Sequence, residues 1–131
     1  MGAVLGKKAV KLVLFATLLM QCPISWADSP HTASWYSFNS CRKEGTSGYF
    51  TASGERFNEN DLTCALPHRK FGSSYKVTNL KNGKSVIVRH NDFGPGKKPL
   101  SRGVVIDLSK GAFQKIADLK SGIVPVKVEA L

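Results

Sequence analysis

The stretch from Ser74 to His90 constrains the fold of this chain more than any other. Ser74-Tyr75-Lys76-Val77-Thr78-Asn79-Leu80 and Ser85-Val86-Ile87-Val88-Arg89-His90 are rich in β-branched and aromatic residues and flank Asn82-Gly83. Asn-Gly between two such runs is a strong hairpin signal, because both residues tolerate the positive φ that a tight two-residue turn demands. A sheet is therefore nucleated in the middle of the chain, and the rest must complete it.

The flanking segments supply short pieces that fit this demand. A first strand is expected over 31–38, followed by a Ser-, Gly- and charge-rich loop over 40–54. Asn58 reads as the cap of a short helix through Asp61 to Ala65, with Asp61 complementing the helix dipole. After the hairpin, Phe93-Gly94-Pro95-Gly96-Lys97-Lys98-Pro99 is a loop, and a strand is expected over 103–108. Ser109 reads as the cap of a helix that places Ala112, Phe113, Ile116 and Ala117 on one face, with Gly122 beyond its end. A last strand is expected over 123–129. Several short strands with one or two small helices, in roughly a hundred residues, predict a mainly β domain closed into a barrel, since closure removes exposed sheet edges.

Composition narrows the setting. The chain has 131 residues, enough for one domain, and carries 19 Lys plus Arg against 9 Asp plus Glu. Such a balance favours extended anionic partners: nucleic acid, lipid or wall polymer. Lys7, Lys8 and Lys11 precede an apolar run from Leu12 to Met20, and Ser25-Trp26-Ala27 precedes Asp28, the pattern of a secretory signal peptide over 1–27. The run is too short to span a bilayer. Cleavage after Ala27 removes three lysines and no acid and leaves a domain over 28–131 with a charge of +7. Export to the periplasm or cell envelope makes wall polymer the expected partner and argues against nucleic acid. Soluble export is favoured over lipid attachment at Cys22, because Leu19-Met20-Gln21 lacks the small residue expected before a lipidated cysteine. A monomer is expected.

Two cysteines, Cys41 and Cys64, remain after the leader. An even pair in an oxidising compartment predicts a Cys41–Cys64 disulfide, which would stabilise the fold by about 3 kcal/mol; two unrelated buried thiols are the alternative. The three histidines show no ligand spacing, so neither a metal nor another cofactor is expected.

Five blocks occur in order along the chain: Ala33-Ser34-Trp35-Tyr36, Thr51-Ala52-Ser53-Gly54-Glu55-Arg56-Phe57, Val77-Thr78-Asn79-Leu80 with Asn82-Gly83-Lys84-Ser85-Val86, Asn91-Asp92-Phe93-Gly94-Pro95, and Val105-Ile106-Asp107-Leu108-Ser109. Together they resemble the RlpA (rare lipoprotein A) family over essentially the whole of 28–131. The resemblance implies a six-stranded double-psi β-barrel, shared with expansins, and non-hydrolytic cleavage of peptidoglycan glycan strands, preferably strands stripped of stem peptides. It implies a lytic transglycosylase; a non-cleaving, expansin-like glycan-binding domain is the alternative.

Candidate site residues follow from both sources. Asp92 sits at the end of an apolar strand before a Gly-Pro loop, and is the expected catalytic acid, since glycosidic cleavage needs a carboxylic acid to protonate the leaving oxygen. An Asx-turn is the structural alternative. Asp107 is a lone carboxylate in an apolar strand, which either faces Asp92 across the substrate or caps the helix near Ser109. Glu55 matches a family glutamate implicated in activity, against a solvated loop charge. The family's Thr-Ala-Ala-His run reads Thr63-Cys64-Ala65-Leu66 here, so Leu66 stands where a histidine is expected. His90 lies two positions before Asp92, on the same face of a regular strand, and is the expected substitute as a hydrogen-bonding partner of the acid. Tyr36 is expected to face the substrate and Trp35 the core. Tyr36, His90, Asn91 and Arg89 are the expected substrate contacts, with Lys97, Lys98 and Arg102 adding positive charge nearby.

Overall fold

A computed structural model describes residues 31–43 and 50–131, with the backbone alone described for 41–43. The expected leader over 1–27 lies outside the described residues. Six strands form a closed barrel: β1 (Thr32–Tyr36), β2 (Thr63–Leu66), β3 (Ser74–Asn79), β4 (Ser85–Phe93), β5 (Val104–Ser109) and β6 (Val124–Ala130). Around the barrel they run β1-β5-β2-β4-β3-β6. The β1·β5 and β2·β4 pairs are parallel, and the remaining neighbours are antiparallel. The described residues also form three short helices, α1 (Phe38–Lys43), α2 (Lys97–Ser101) and α3 (Lys110–Ile116), and a 3-10 turn over Leu119–Ser121.

The hairpin forms, but its connection over 80–84 is longer than a two-residue turn and Asn82 does not take a positive φ. Thr78 pairs with Ser85 and Ser74 with Arg89, and Gly83 takes the positive φ of 76° that the turn needs. Val77, Val86 and Val88 point into a core shared with Ala33, Ile106, Leu108, Val124 and Val126. Ser109 Oγ accepts the amide of Ala112 at 3.2 Å, which caps α3, and Ala112, Phe113 and Ile116 bury its apolar face. The helix stops at Ile116, earlier than expected, because Ala117 is extended and Asp118 starts the separate 3-10 turn. Asn79 joins the hairpin to α3 by donating Nδ2–H to the Ile116 carbonyl at 2.8 Å.

Two expectations are corrected. The segment read as a short helix over 61–65 is instead strand β2 from Thr63 onward, fully buried and paired to β4 on one side and β5 on the other. Asn58 caps only a turn, its Oδ1 accepting the Asn60 amide at 3.0 Å. Local capping preference loses to the ladder bonds available on both sides. The expected Cys41–Cys64 disulfide is absent: Cys64 is a free thiol, wholly buried in the core cluster between its neighbours His90 and Leu108. Burial and the nearby Asp107 carboxylate push its pKa up to about 12, which keeps it an inert thiol. The side chain of Cys41 lies outside the described residues.

Two outcomes follow. Gly111 donates its amide to the Glu59 carbonyl at 2.7 Å, and a Cβ there would lie 2.7 Å from the Asn60 carbonyl oxygen. Gly111→Ala is expected to lower stability by about 1–3 kcal/mol, read from the midpoint of denaturant unfolding. Iodoacetamide at pH 8 is expected to leave Cys64 unmodified in the native protein and to alkylate it once the protein is unfolded, as mapped by peptide mass spectrometry.

Candidate active site

The site begins with a defect in strand pairing. Along the parallel β2·β4 ladder Cys64 pairs with His90, but the next residue, Ala65, pairs with Asp92. Asn91 is therefore an extra residue, a β-bulge. Up to that point β4 alternates strictly, with Val86, Val88 and His90 buried and Ser85, Ile87 and Arg89 exposed. The bulge reverses the parity, so Asp92 emerges on the face opposite His90.

Register then assembles the site. Paired residues share a face, and Ser34 pairs with Asp107, Asp107 with Ala65, and Ala65 with Asp92. Ser34, Asp107, Ala65 and Asp92 thus form one row across four strands, on the face turned away from Ile106, Leu108, Cys64 and His90. The two carboxylates stand two strand spacings apart, about 10 Å between backbones. Only the methyl of Ala65 lies between them in the row. Gly94 passes over it, where a Cβ would sit 3.4 Å from Asp107 Oδ2 and 3.7 Å from the Ala65 Cβ. Small residues at both positions keep the space between the carboxyls open.

Asp92 is held by three donors. Its Oδ1 accepts the amides of Ala52 at 3.0 Å and Phe93 at 2.8 Å, while Oδ2 accepts the Tyr36 hydroxyl at a longer 3.3 Å. Oδ2 is the less engaged oxygen and the one better placed to exchange a proton with a bound molecule. The Phe93 contact satisfies part of the turn-forming alternative, but the Ala52 and Tyr36 contacts reach 40 and 56 residues along the chain and define a tertiary site. Burial, followed by the Asp92 carboxylate, raises the Tyr36 pKa far above that of a free phenol, so Tyr36 is a neutral donor. Its ring stacks on Phe57 at 4.9 Å, which occupies one ring face. Trp35 points to the other side, packs against the core and donates its indole N–H to the Leu119 carbonyl at 3.2 Å.

The loop that provides Ala52 is itself clamped to β4. Arg89 forms a bidentate pair with Glu55, at 2.5 and 2.7 Å, and the Ser53 amide donates to the Asn91 carbonyl at 3.2 Å. Arg89, followed among favourable contacts by Asn91, holds the Glu55 carboxyl below its ordinary value of 4.5. Glu55 is accordingly an ionised clamp of this loop, and Arg89 is occupied by it. Asn91, expected to meet a substrate, is buried by the bulge, with its Oδ1 unpartnered among the described residues.

Asp107 accepts a short hydrogen bond from Ser34 Oγ and does not cap α3, a role that Ser109 fills. His90 is not on the face of Asp92, and its Nε2 lies 2.9 Å from the backbone carbonyl of Asp92, away from the carboxyl. Its ring packs among His68, Phe71 and Tyr75. Leu66 is buried, so no imidazole reaches the Asp92 carboxyl among the described residues. Ser34 and the Ala52 amide were not anticipated. The alternation Ser34-Trp35-Tyr36, read as one polar and one apolar face, carried the signal for Ser34; nothing local marked Ala52. Among the described residues no group of His, Cys, Asp and Glu is arranged to hold a metal.

A family model described as "Lytic transglycolase" matches residues 29–128. A probable endolytic peptidoglycan transglycosylase RlpA of Nostoc sp. is 46% identical over 99 residues, 76% of this chain and 24% of that protein. The counterpart of Synechocystis sp. is 50% identical over 91 residues, 70% of this chain and 25% of its own length. An endolytic peptidoglycan transglycosylase RlpA of Rickettsia felis is 44% identical over 99 residues, 76% of this chain and 40% of its own. This chain therefore spans about a quarter to two-fifths of these relatives. Among solved structures, a Streptomyces papain inhibitor superposes with a TM-score of 0.59 at 21% identity, covering 78% of this chain and 92% of the inhibitor. An expansin of Clavibacter michiganensis gives 0.54 at 24% identity, covering 77% of this chain and 48% of the expansin. At these identities the superpositions report the fold.

The Glu55–Arg89 clamp has a defined pH dependence. A carboxyl whose folded pKa is depressed contributes stability above its unfolded value near 4.5, and that contribution is lost as pH falls through the lower folded value. Carbon-detected NMR titration is expected to place the Glu55 carboxyl below 4.5 in the wild-type protein and to return it to the ordinary carboxylate range in Arg89→Gln.

Proposed function

The chain belongs to the lytic transglycolase family of double-psi β-barrels, and on that premise we propose that it is an exported endolytic peptidoglycan transglycosylase with Asp92 as its acid and base. The observation that carries this reading is the Ser34–Asp107–Ala65–Asp92 row, in which two carboxylates face one open space and Asp92 keeps one lightly engaged oxygen. Its relatives of 44–50% identity bear this activity in their names.

The chemistry follows from that geometry. Asp92, protonated, donates from Oδ2 to the oxygen linking N-acetylmuramic acid to the next N-acetylglucosamine. The C1–O bond breaks, and the electron pair leaves with the protonated oxygen. The muramic acid 6-hydroxyl attacks C1 within the same sugar, and the Asp92 carboxylate takes its proton. The product ends in a 1,6-anhydro sugar, with no water consumed and the acid regenerated. Tyr36 and the Ala52 amide hold the carboxyl through both proton transfers. Asp107 lies across the row, where its negative charge would favour the positive character that develops at C1. The Arg89–Glu55 pair acts at a distance, by fixing the loop that presents the Ala52 amide. The leader over 1–27 would carry the domain to the wall, and the excess of basic residues suits an anionic polymer.

The second reading is a barrel that binds glycan without cutting it, and Leu66 in the place of a histidine favours it. Incubating the mature domain with peptide-free peptidoglycan and analysing the products by mass spectrometry separates the two. Fragments ending in 1,6-anhydromuramic acid are expected from the wild type, and Asp92→Asn is expected to reduce their formation by roughly 10²- to 10⁴-fold. Glycan that is retained by the protein yet stays intact would establish the binding barrel instead.

A further inference from the structure

We propose that His90 is a positioning residue for Asp92: a buried imidazolium whose two ring N–H groups clamp the backbone of the acid to the turn that precedes β3. The ring is wholly buried, and each of its nitrogens faces a backbone carbonyl. Nδ1 lies 3.2 Å from the Lys70 oxygen and Nε2 lies 2.9 Å from the Asp92 oxygen.

That pair of partners decides the charge of the ring. A carbonyl oxygen only accepts, whereas a neutral imidazole has one donor nitrogen and one acceptor nitrogen. In either neutral tautomer one nitrogen lone pair would face a carbonyl lone pair, away from water, with no donor between them. With both nitrogens protonated, both contacts become charge-assisted hydrogen bonds, and the buried charge has its donors satisfied. The titratable groups on the elements packed against the ring leave room for this charge. Cys64 on β2 is a neutral thiol, Tyr75 packs from β3, and the Lys70 ammonium is exposed to solvent. Asp92 adds a carboxylate on the opposite face of β4. His68, whose ring lies 4.7 Å away, is held below its ordinary value of 6.5 by burial and then by His90 and Lys70, which makes it the neutral member of the pair.

The main chain of His90 is bound to the same turn. Its amide donates to the Ser73 carbonyl at 2.9 Å, and its carbonyl accepts the Gly72 amide at 2.9 Å. Together with Nδ1 this fixes His90 to the turn at three points, and Nε2 passes the restraint on to Asp92. Asp92 needs it, because Asn91 interrupts the β2·β4 pairing directly before it. Ala52, Phe93 and Tyr36 hold its carboxyl, and His90 holds its carbonyl. The catalytic part of the inference rests on the transglycosylase reading: anchored at both ends, Asp92 keeps Oδ2 in one place through two proton transfers. An imidazole thus serves the acid through its backbone, from the far side of the strand.

The charge of the ring and its effect on the acid are measured separately. Nitrogen-resolved NMR of the wild-type protein at neutral pH is expected to show both ring N–H groups of His90 as slowly exchanging signals. A ring with one protonated and one bare nitrogen overturns the proposal. His90→Phe keeps an aromatic ring and removes both donors. It is expected to shift the amide signals of Ala52 and Phe93, and to lower kcat for glycan cleavage about tenfold with KM unchanged. Unchanged kcat, or a loss confined to KM, overturns the positioning role and leaves the transglycosylase reading intact. If the wild type cleaves no glycan, that reading fails by itself, and the amide signals decide the clamp: shifted in His90→Phe they support it, unshifted they overturn it. If His90→Phe does not fold, the wild-type ring signals decide alone.

Discussion

One inserted residue governs the chemistry of this barrel. If Asn91 were a regular strand residue instead of a bulge, the alternation of β4 would send Asp92 to the same side as Val86, Val88 and His90, into a hydrophobic core where an ionised carboxylate has no compensation. The bulge moves the acid to the opposite face and leaves the imidazole inside. Its cost is an unpaired step in the ladder and a buried Asn91 side-chain oxygen without a partner among the described residues. Bulges are concentrated next to active sites because they re-aim a single side chain while the strand continues to pair on either side.

The rest of the site depends on that reversal. Once Asp92 shares a face with Ala65, the antiparallel β2·β5 pairing brings Asp107 into the same row, and the parallel β1·β5 pairing adds Ser34. A four-residue strand in the middle of the row is enough, because β2 is paired on both sides and cannot slip without losing two ladders at once. The loop over 50–57 then closes on the acid from outside. Its bidentate ion pair is about half-exposed and contributes little to global stability, but it sets where the Ala52 amide lies. A surface salt bridge of modest energy thereby positions a polar donor at the reactive carboxyl.

The hairpin over 74–90 was legible because its signal is local: β-branched alternation and an Asn-Gly turn act over a dozen residues. The Ser109 cap and the buried face of α3 were legible for the same reason. Residues 61–65 were misread because Thr-Cys-Ala-Leu has no strong preference of its own, and its strand conformation comes from partners 26 and 44 positions further on. The disulfide expectation rested on cysteine parity and compartment, which say nothing of direction; the register turns Cys64 into the core. His90 was assigned to the acid by assuming an unbroken strand, and a bulge leaves no reliable mark in a single sequence.

The sequence by itself determined a small, basic, mainly β domain with a central hairpin, and its motif blocks pointed to the family and to Asp92. Those properties depend on residue type and short-range order, which the chain carries explicitly. Only the tertiary structure decided that Asp92 and Asp107 share a face, that Glu55 and Arg89 neutralise each other, and that His90 turns away from the acid. Each of these depends on strand register or loop docking between segments far apart in the chain. Side-chain parity in a sheet reverses with a shift of one residue, and that shift is settled only when the barrel closes.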